Sequence, residues 1–255
     1  MNELKAIVII PARFDSSRFP GKPLASIAQK PMIRHVYERV LQAKRVSEVI
    51  VATDDLRILE TVTAFGGKAR MTSKKHLTGT DRVAEVAGDT DAQIVVNAQG
   101  DEPLIDPGCI DAAIEPFYSD PQLMISTLKS CGSSEDELYS PNVVKVVTDH
   151  EGYALYFSRS PLPYFRYAYN SVEKKNQVFF KHIGLYAYHK NFLDLLPGLK
   201  PSSLEKAEGL EQLRFLENGF KIKVVEYDYQ TLAVDTPEDL VRVNEILSMS
   251  SKPRF

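Results

Sequence analysis

The sequence predicts an α/β fold organised on a mixed, mostly parallel sheet, and three observations predict it. Ala6–Ile10, Glu48–Thr53 and Gln93–Asn97 are apolar, β-branched runs too short for helices, the pattern of strands buried on both faces. The stretches following the first two carry apolar residues at helical spacing, so the order strand, helix, strand, helix argues for parallel βαβ units. Beyond residue 120 the rhythm changes. Leu123–Leu128, Val143–Val147 and Ala154–Phe157 read as strands without full helices between them, which adds hairpins to the sheet.

Taken in order, Pro11 ends the first strand, and Pro31 stands at a helix start with Met32, Ile33, Val36, Val40 and Leu41 on one face. Asp54-Asp55 offers an N-cap to a helix through Ile58, Leu59 and Val62, stopped by Gly66-Gly67. Lys68–Met71 reads as a short strand, and Thr80 or Asp81 as the cap of a helix through Val83, Ala84, Val86 and Ala87. Asp106-Pro107 opens a helix running to about Tyr118. Ser158–Gln177, rich in Pro, Tyr, Arg and Lys and without periodicity, reads as an excursion from the sheet. Phe179–Tyr188 returns as a strand, Leu204–Leu216 is one helix and Lys221–Val225 a strand. Val234-Asp235 ends a further strand and Thr236-Pro237-Glu238-Asp239 opens a last helix through Leu247. The chain, 1–255, reads as a single domain carrying an excursion at 158–189.

Composition narrows the function. The 255 residues are 44% hydrophobic and 25% charged, ordinary for a soluble globular protein. A net charge of −3 supplies no basic field, which disfavours nucleic acid as the main partner. Cys109 and Cys131 lack CxxC spacing and a nearby His, which argues against a disulfide framework or a zinc site and for a reducing compartment. No run reaches membrane-spanning length, and the start does not read as a signal peptide, so the cytoplasm is the expected location.

The chemistry-bearing residues follow strand ends. Arg13, Arg18 and Lys22 lie in a loop stiffened by Pro11, Pro20 and Pro23, directly after the first strand. Ligands of open α/β sheets collect at that end of the strands, so three cations there suit the phosphates of a nucleotide. The loop lacks the spaced glycines of a dinucleotide fingerprint, and Gly21-Lys22 is followed by Pro23, which excludes a P-loop. Asp101, in Gln99-Gly100-Asp101-Glu102-Pro103, and Asp235 each follow an expected strand and are suited to holding Mg²⁺ against phosphates. Taken separately, Asp101 also reads as a turn residue and Asp235 as a helix cap. Thr78-Gly79-Thr80-Asp81-Arg82 offers hydrogen bonds to a base or ribose, or else Arg82 pairs with a helix carboxylate. Glu205 and Glu208 read as a solvated face, whereas Glu211-Gln212 lies beside the bend that Gly209 permits. His182, on a strand, reads as structural. No spacing supports a covalent nucleophile.

These residues resemble the 3-deoxy-manno-octulosonate cytidylyltransferase (CMP-Kdo synthetase) family across nearly the whole chain. The match runs through Pro11-Ala12-Arg13, Ser17–Leu24, Gly79–Arg82, Gln99–Pro103, Asn142–Lys145, Ala154–Arg159, His182–Tyr186, Leu210–Arg214 and Val234–Asp239. The resemblance implies a Rossmann-like nucleotidyltransferase domain with a small β-rich dimerisation arm. It implies transfer of CMP from CTP to the anomeric hydroxyl of 3-deoxy-D-manno-octulosonate (Kdo), with pyrophosphate released, Mg²⁺ as cofactor, a homodimer, and a place in lipopolysaccharide biosynthesis. It assigns Arg13, Arg18 and Lys22 to the triphosphate, with Lys22, Arg13, Asp101 and Asp235 catalytic and Asp101 and Asp235 on magnesium. Thr80, Arg82, Ala98 and Gln99 would hold the cytidine, and Gln99, Arg159, His182, Tyr186, Glu211 and Gln212 the sugar acid. Another acidic sugar, such as an 8-amino-Kdo or a nonulosonic acid, remains an alternative acceptor, and a non-catalytic nucleotide-binding regulator an alternative class.

Overall fold

The computed structural model describes residues 4–15, 19–166, 178–229 and 232–250. The first strand, β1 (Ala6–Ala12), is followed by a small hairpin of β2 (Ser26–Ile27) and β3 (Lys30–Pro31), then α1 (Met32–Val40), β4 (Val46–Thr53), α2 (Leu56–Ala64), β5 (Lys68–Met71), α3 (Gly79–Gly88) and β6 (Ile94–Asn97). The chain continues through α4 (Pro107–Ile114), α5 (Pro116–Ser119), β7 (Ile125–Cys131), α6 (Glu135–Tyr139), β8 (Lys145–Thr148), β9 (Ala154–Ser158) and β10 (Phe180–His189). It closes with α7 (Lys190–Leu195), α8 (Ser203–Glu208), α9 (Gln212–Glu217), β11 (Ile222–Glu226) and α10 (Pro237–Ser250).

The main sheet runs β11-β7-β10-β6-β1-β4-β5, and β8 and β9 extend it beside β10. Along that path only β10 opposes the others, since it is antiparallel to both β6 and β7 while the remaining pairs are parallel. From β1 the chain winds outward to β4 and β5, then returns to β6 on the other side of β1. The crevice at the carboxyl ends of β1 and β6 is therefore a topological switch point, where such sheets bind ligands.

Both faces of the sheet are buried, as the apolar runs require. Val8 and Ile10 of β1 pack with Ile33, Val36, Ile58, Val62 and Ile110 of α1, α2 and α4. Ile7 and Ile9 face the other way, against Val83, Val86, Phe192, Leu213 and Phe215 of α3, α7 and α9. On that side the rings of Tyr188, Phe192, Phe215 and Phe220 meet stacked or edge-to-face at centroid separations of 5.0–6.4 Å.

Several elements differ from the sequence expectation. The first strand runs through Pro11 to Ala12, because pairing with β6 ends at Ile9 and the missing N–H of Pro11 costs no ladder bond on that side. The hairpin of β2 and β3 was not expected; its turn holds Ala28 and Gln29 at φ 45° and 64°, so no Gly or Asn marks it. The cap of α3 is Thr78, which shares a capping box with Asp81, and not Thr80 or Asp81. Pro116 separates α4 from α5, and Gly209, left-handed at φ 64°, ends α8, so 204–216 is two helices. Val234 lies outside any strand. Of the 158–189 excursion, 167–177 fall outside the described residues.

Replacing Ile9, wholly buried at the centre of β1, with Ala is expected to cost about 2–5 kcal/mol in urea denaturation. A loss below about 1 kcal/mol would contradict the packing described.

Candidate active site

A cleft of ≈ 360 Å³ opens where β1 and β6 end. Pro11, Ala12 and Arg13 come from β1 and its loop, Gln99, Gly100 and Asp101 from the loop after β6, Thr78, Gly79 and Arg82 from the start of α3, and Asp235 from the approach to α10. Two glycines permit this convergence. A Cβ on Gly100 would lie 2.9 Å from the Pro11 carbonyl oxygen, so only glycine lets the two strand ends approach. Gly21, at φ 72°, turns the cationic loop back so that its N–H donates to the Phe14 carbonyl at 2.9 Å.

Lys22 opens a 3₁₀ turn, Lys22–Leu24, with Pro23 buried behind it. Its ammonium donates to Asp101 Oδ2 at 2.7 Å and to Asp235 Oδ1 at 3.2 Å. Three residues far apart in sequence thus meet as a carboxylate–ammonium–carboxylate bridge. The backbone repeats the closure, since the Val234 N–H donates to the Asp101 carbonyl at 2.9 Å. The pair fits Mg²⁺ on chemical grounds. Mg²⁺ takes one or two hard carboxylates and fills its remaining positions with water and substrate phosphates. Here two carboxylates already converge on one cationic group, at the rim of a cleft wide enough for phosphates. Among the described residues no group of three or more His, Cys, Asp or Glu forms a protein-only cage.

At the other end of the cleft Arg82 is almost fully buried. Its guanidinium donates to Asp54 Oδ2 at 2.8 Å and to Thr72 Oγ1. The partner is the carboxylate after β4 and not one on a helix, while Asp55 is the cap of α2. Thr80 turns away from the cleft and donates its hydroxyl to Glu211 Oε2. Ala98 is buried beneath the cleft, and the Gln99 amide donates to the Gly184 carbonyl at 3.2 Å. Arg18 lies outside the described residues.

The residues assigned to the sugar gather on the β10 side. Tyr186 pairs with Asn97 across β10 and β6, and the His182 ring lies between Phe157 and Tyr186 at 5.0 and 5.4 Å. Burial drives the His182 pKa down to about 3, so the ring is neutral, and Nε2 lies 3.0 Å from Thr127 Oγ1. Burial also raises the Glu211 carboxyl above its ordinary range, with the Thr80 hydroxyl opposing. Asn97 Oδ1, Tyr186 Oη and Glu211 Oε1 are buried with no partner in hydrogen-bond geometry among the described residues. Buried polar atoms in that condition call for a polar ligand or water. Gln212 is buried at the start of α9. The Arg159 guanidinium donates to the carbonyls of Glu208, Pro141 and Gly209, at 2.7, 2.8 and 3.4 Å.

Sequence reasoning missed several contributors. Asn97 shows only as a polar residue closing an apolar strand, and Asp54 was indistinguishable from a helix cap. Glu208 is not on a solvated face: it accepts from Ser158 Oγ at 2.6 Å and the Arg159 N–H at 2.9 Å, and Glu205 likewise pairs with Arg214. Lys145, wholly buried, donates to the carbonyls of Ser140, Val143 and Arg159 at 2.7–2.8 Å and so holds the Arg159 turn.

The switch-point sheet with this cleft defines a nucleotidyltransferase fold. A family profile described as Cytidylyltransferase matches residues 7–222. The chain is 57% identical to the 3-deoxy-manno-octulosonate cytidylyltransferase of Geotalea daltonii, over 96% of this chain and 98% of that protein. The enzyme of the same name from Solibacter usitatus is 51% identical, over 96% of each. A solved CTP complex of CMP:2-keto-3-deoxy-manno-octonic acid synthetase superposes with a TM-score of 0.90 at 45% identity, over 96% of this chain and 99% of that one. The chain belongs to the 3-deoxy-manno-octulosonate cytidylyltransferase family.

The half-buried His182, whose ring is desolvated, gives a pH test. Its folded pKa, about 3, lies below the ordinary 6.5, so the unfolded chain takes up a proton that the folded chain refuses. Stability from this group is present above pH 6.5 and is lost as pH falls toward 3. Urea midpoints measured across that window should fall less steeply in His182→Asn than in the unaltered chain. Equal slopes would contradict the burial.

Proposed function

We propose that this chain transfers the cytidylyl group of CTP to the anomeric hydroxyl of 3-deoxy-D-manno-octulosonate, releasing pyrophosphate and serving lipopolysaccharide biosynthesis in the cytoplasm. The observation that carries the reading is the bridge of Lys22 to Asp101 and Asp235 at the switch point, in a chain of this family. The sugar oxygen attacks the α-phosphorus, the bond from that phosphorus to the pyrophosphate oxygen breaks, and the hydroxyl proton passes to water. No covalent enzyme intermediate is involved, so the chain acts by positioning and charge.

Arg13, Arg18 and Lys22 neutralise the triphosphate, whose negative charge shifts toward the leaving pyrophosphate as the bond stretches. Lys22 exchanges its two carboxylates for phosphate oxygens. Asp101 and Asp235 would hold Mg²⁺, which would supply positive charge to the phosphates and make the attacking hydroxyl more acidic. Arg82, anchored by Asp54, faces the cytidine with the backbone at Ala98 and Gln99, and Thr80 supports that end through Glu211. Gln99, His182, Tyr186, Glu211 and Gln212 surround the sugar acid, and Arg159 meets its carboxylate once its guanidinium gives up a backbone carbonyl. The whole chain acts as one domain, and the 158–189 excursion pairs it into a homodimer. Among the described residues no helix is long and apolar enough to cross a membrane.

Pyrophosphate release assayed with CTP, Mg²⁺ and a panel of acidic sugars tests this directly. Kdo should support turnover; preference for an 8-amino-Kdo or a nonulosonic acid would move the acceptor, and silence with every sugar despite CTP binding would overturn the reaction. Asp101→Asn should lower kcat by about 10²–10³-fold with an unchanged melting temperature. Near-normal turnover in that variant would remove the metal assignment.

A further inference from the structure

Asp101 and Asp235 reach the bridge from unequal supports. Asp101 follows β6, whose residues are all buried at the centre of the sheet. Asp235 arrives on the segment between β11 and α10, and α10 rests on a small cluster of Ile27, Met32, Val234 and Val243, with Val241 and Ile246 exposed. The Val234 N–H bond to the Asp101 carbonyl holds that segment at one point, and side chains hold it at others.

Two phenols before Asp235 meet two acidic side chains after Asp101. Tyr227 Oη donates to Asp106 Oδ2 at 2.9 Å, and Tyr229 Oη donates to Glu102 Oε2 at 3.4 Å. Each contact has a built counterpart. The other oxygen of Asp106, Oδ1, caps α4 by accepting from the Gly108 N–H at 2.9 Å, so the carboxylate that receives Tyr227 is fixed by a helix end. Gly108 leaves room for the phenol, because a Cβ there would lie 2.1 Å from Tyr227 Oη. Glu102 is itself buried immediately beside Asp101, where a carboxyl needs a donor such as the Tyr229 hydroxyl. Both tyrosines also pack on the main core cluster.

We infer that Tyr227 and Tyr229 are positioning residues, a two-phenol clasp that fastens the chain after β11 onto the turn that follows Asp101 and so helps set the separation of the two carboxylates. The inference rests on the reading that those carboxylates share a divalent ion. Neither tyrosine lines the cleft, nor do Glu102 and Asp106. Loss of the clasp should therefore appear in metal affinity and kcat and spare the affinity for CTP.

The test is Mn²⁺ binding by calorimetry to the CTP-bound full chain without acceptor, alongside steady-state kinetics and melting, for the Tyr227→Phe/Tyr229→Phe double variant. Phenylalanine keeps the rings and their packing and removes only the hydroxyls. Mn²⁺ affinity is expected to fall by about tenfold or more, as when partners of metal ligands are removed. kcat should fall with it, while KM for CTP stays within about twofold and melting within a few degrees. Gly108→Ala, which displaces Tyr227 without altering it, should weaken Mn²⁺ binding in the same direction. Unchanged Mn²⁺ affinity in the double variant, with weakened binding in Asp235→Asn, would overturn the clasp alone. Unchanged affinity in Asp101→Asn and Asp235→Asn as well would remove the metal reading and the clasp with it.

Discussion

Two ionised carboxylates repel each other at close range unless a cation lies between them, and the arrangement of this site follows from that constraint. Asp101 and Asp235 both bond the Lys22 ammonium, and together the three residues draw in the loop after β1, the loop after β6 and the approach to α10. Side-chain exposures of 13%, 28% and 39% mean that water screens the bridge, so its contribution to folding stability is small. Its value is positional. One ammonium between two carboxylates leaves the cluster a net charge of −1 at the mouth of the cleft, which on the proposed function suits it to exchange its internal cation for a metal ion.

The fold was legible where one physical effect dominated. Ile7–Ile10, Val49–Val51 and Ile94–Val96 are buried on both faces, and continuous apolar runs report that condition directly. What the sequence left open was set by competition. Gly209 could bend a helix or end one, and only its left-handed conformation shows that it ends α8. The turn at Ala28-Gln29 carries no turn chemistry of its own; its backbone is held partly from outside, by Asn244 of α10 accepting from the Ala28 N–H at 2.8 Å.

The site divides the same way. Lys22, Asp101 and Asp235 were readable only as a set, since singly Asp101 also reads as a turn residue and Asp235 as a helix cap. Asp54, Asn97, Tyr227 and Tyr229 were not, since each of these residue types has a commoner use at its position. Asp54 looks like a cap beside Asp55, and the phenols look like core. The partners of Asp54, Tyr227 and Tyr229 lie 28 to 127 residues away in sequence, and only the folded chain brings them together. Arg159 shows the converse. The residue type suited a carboxylate, yet its guanidinium is spent on backbone carbonyls around Gly209, so engagement with a substrate has to compete with bonds it already makes.

The account turns on the bridge being a metal site held by a lysine. Anomalous diffraction from crystals of the chain grown with CTP and Mn²⁺ tests that most directly. The account predicts one Mn²⁺ peak bonded to both Asp101 and Asp235, with the Lys22 ammonium moved onto the triphosphate. A peak bonded to phosphates alone, with Lys22 still bridging the two carboxylates, would contradict it.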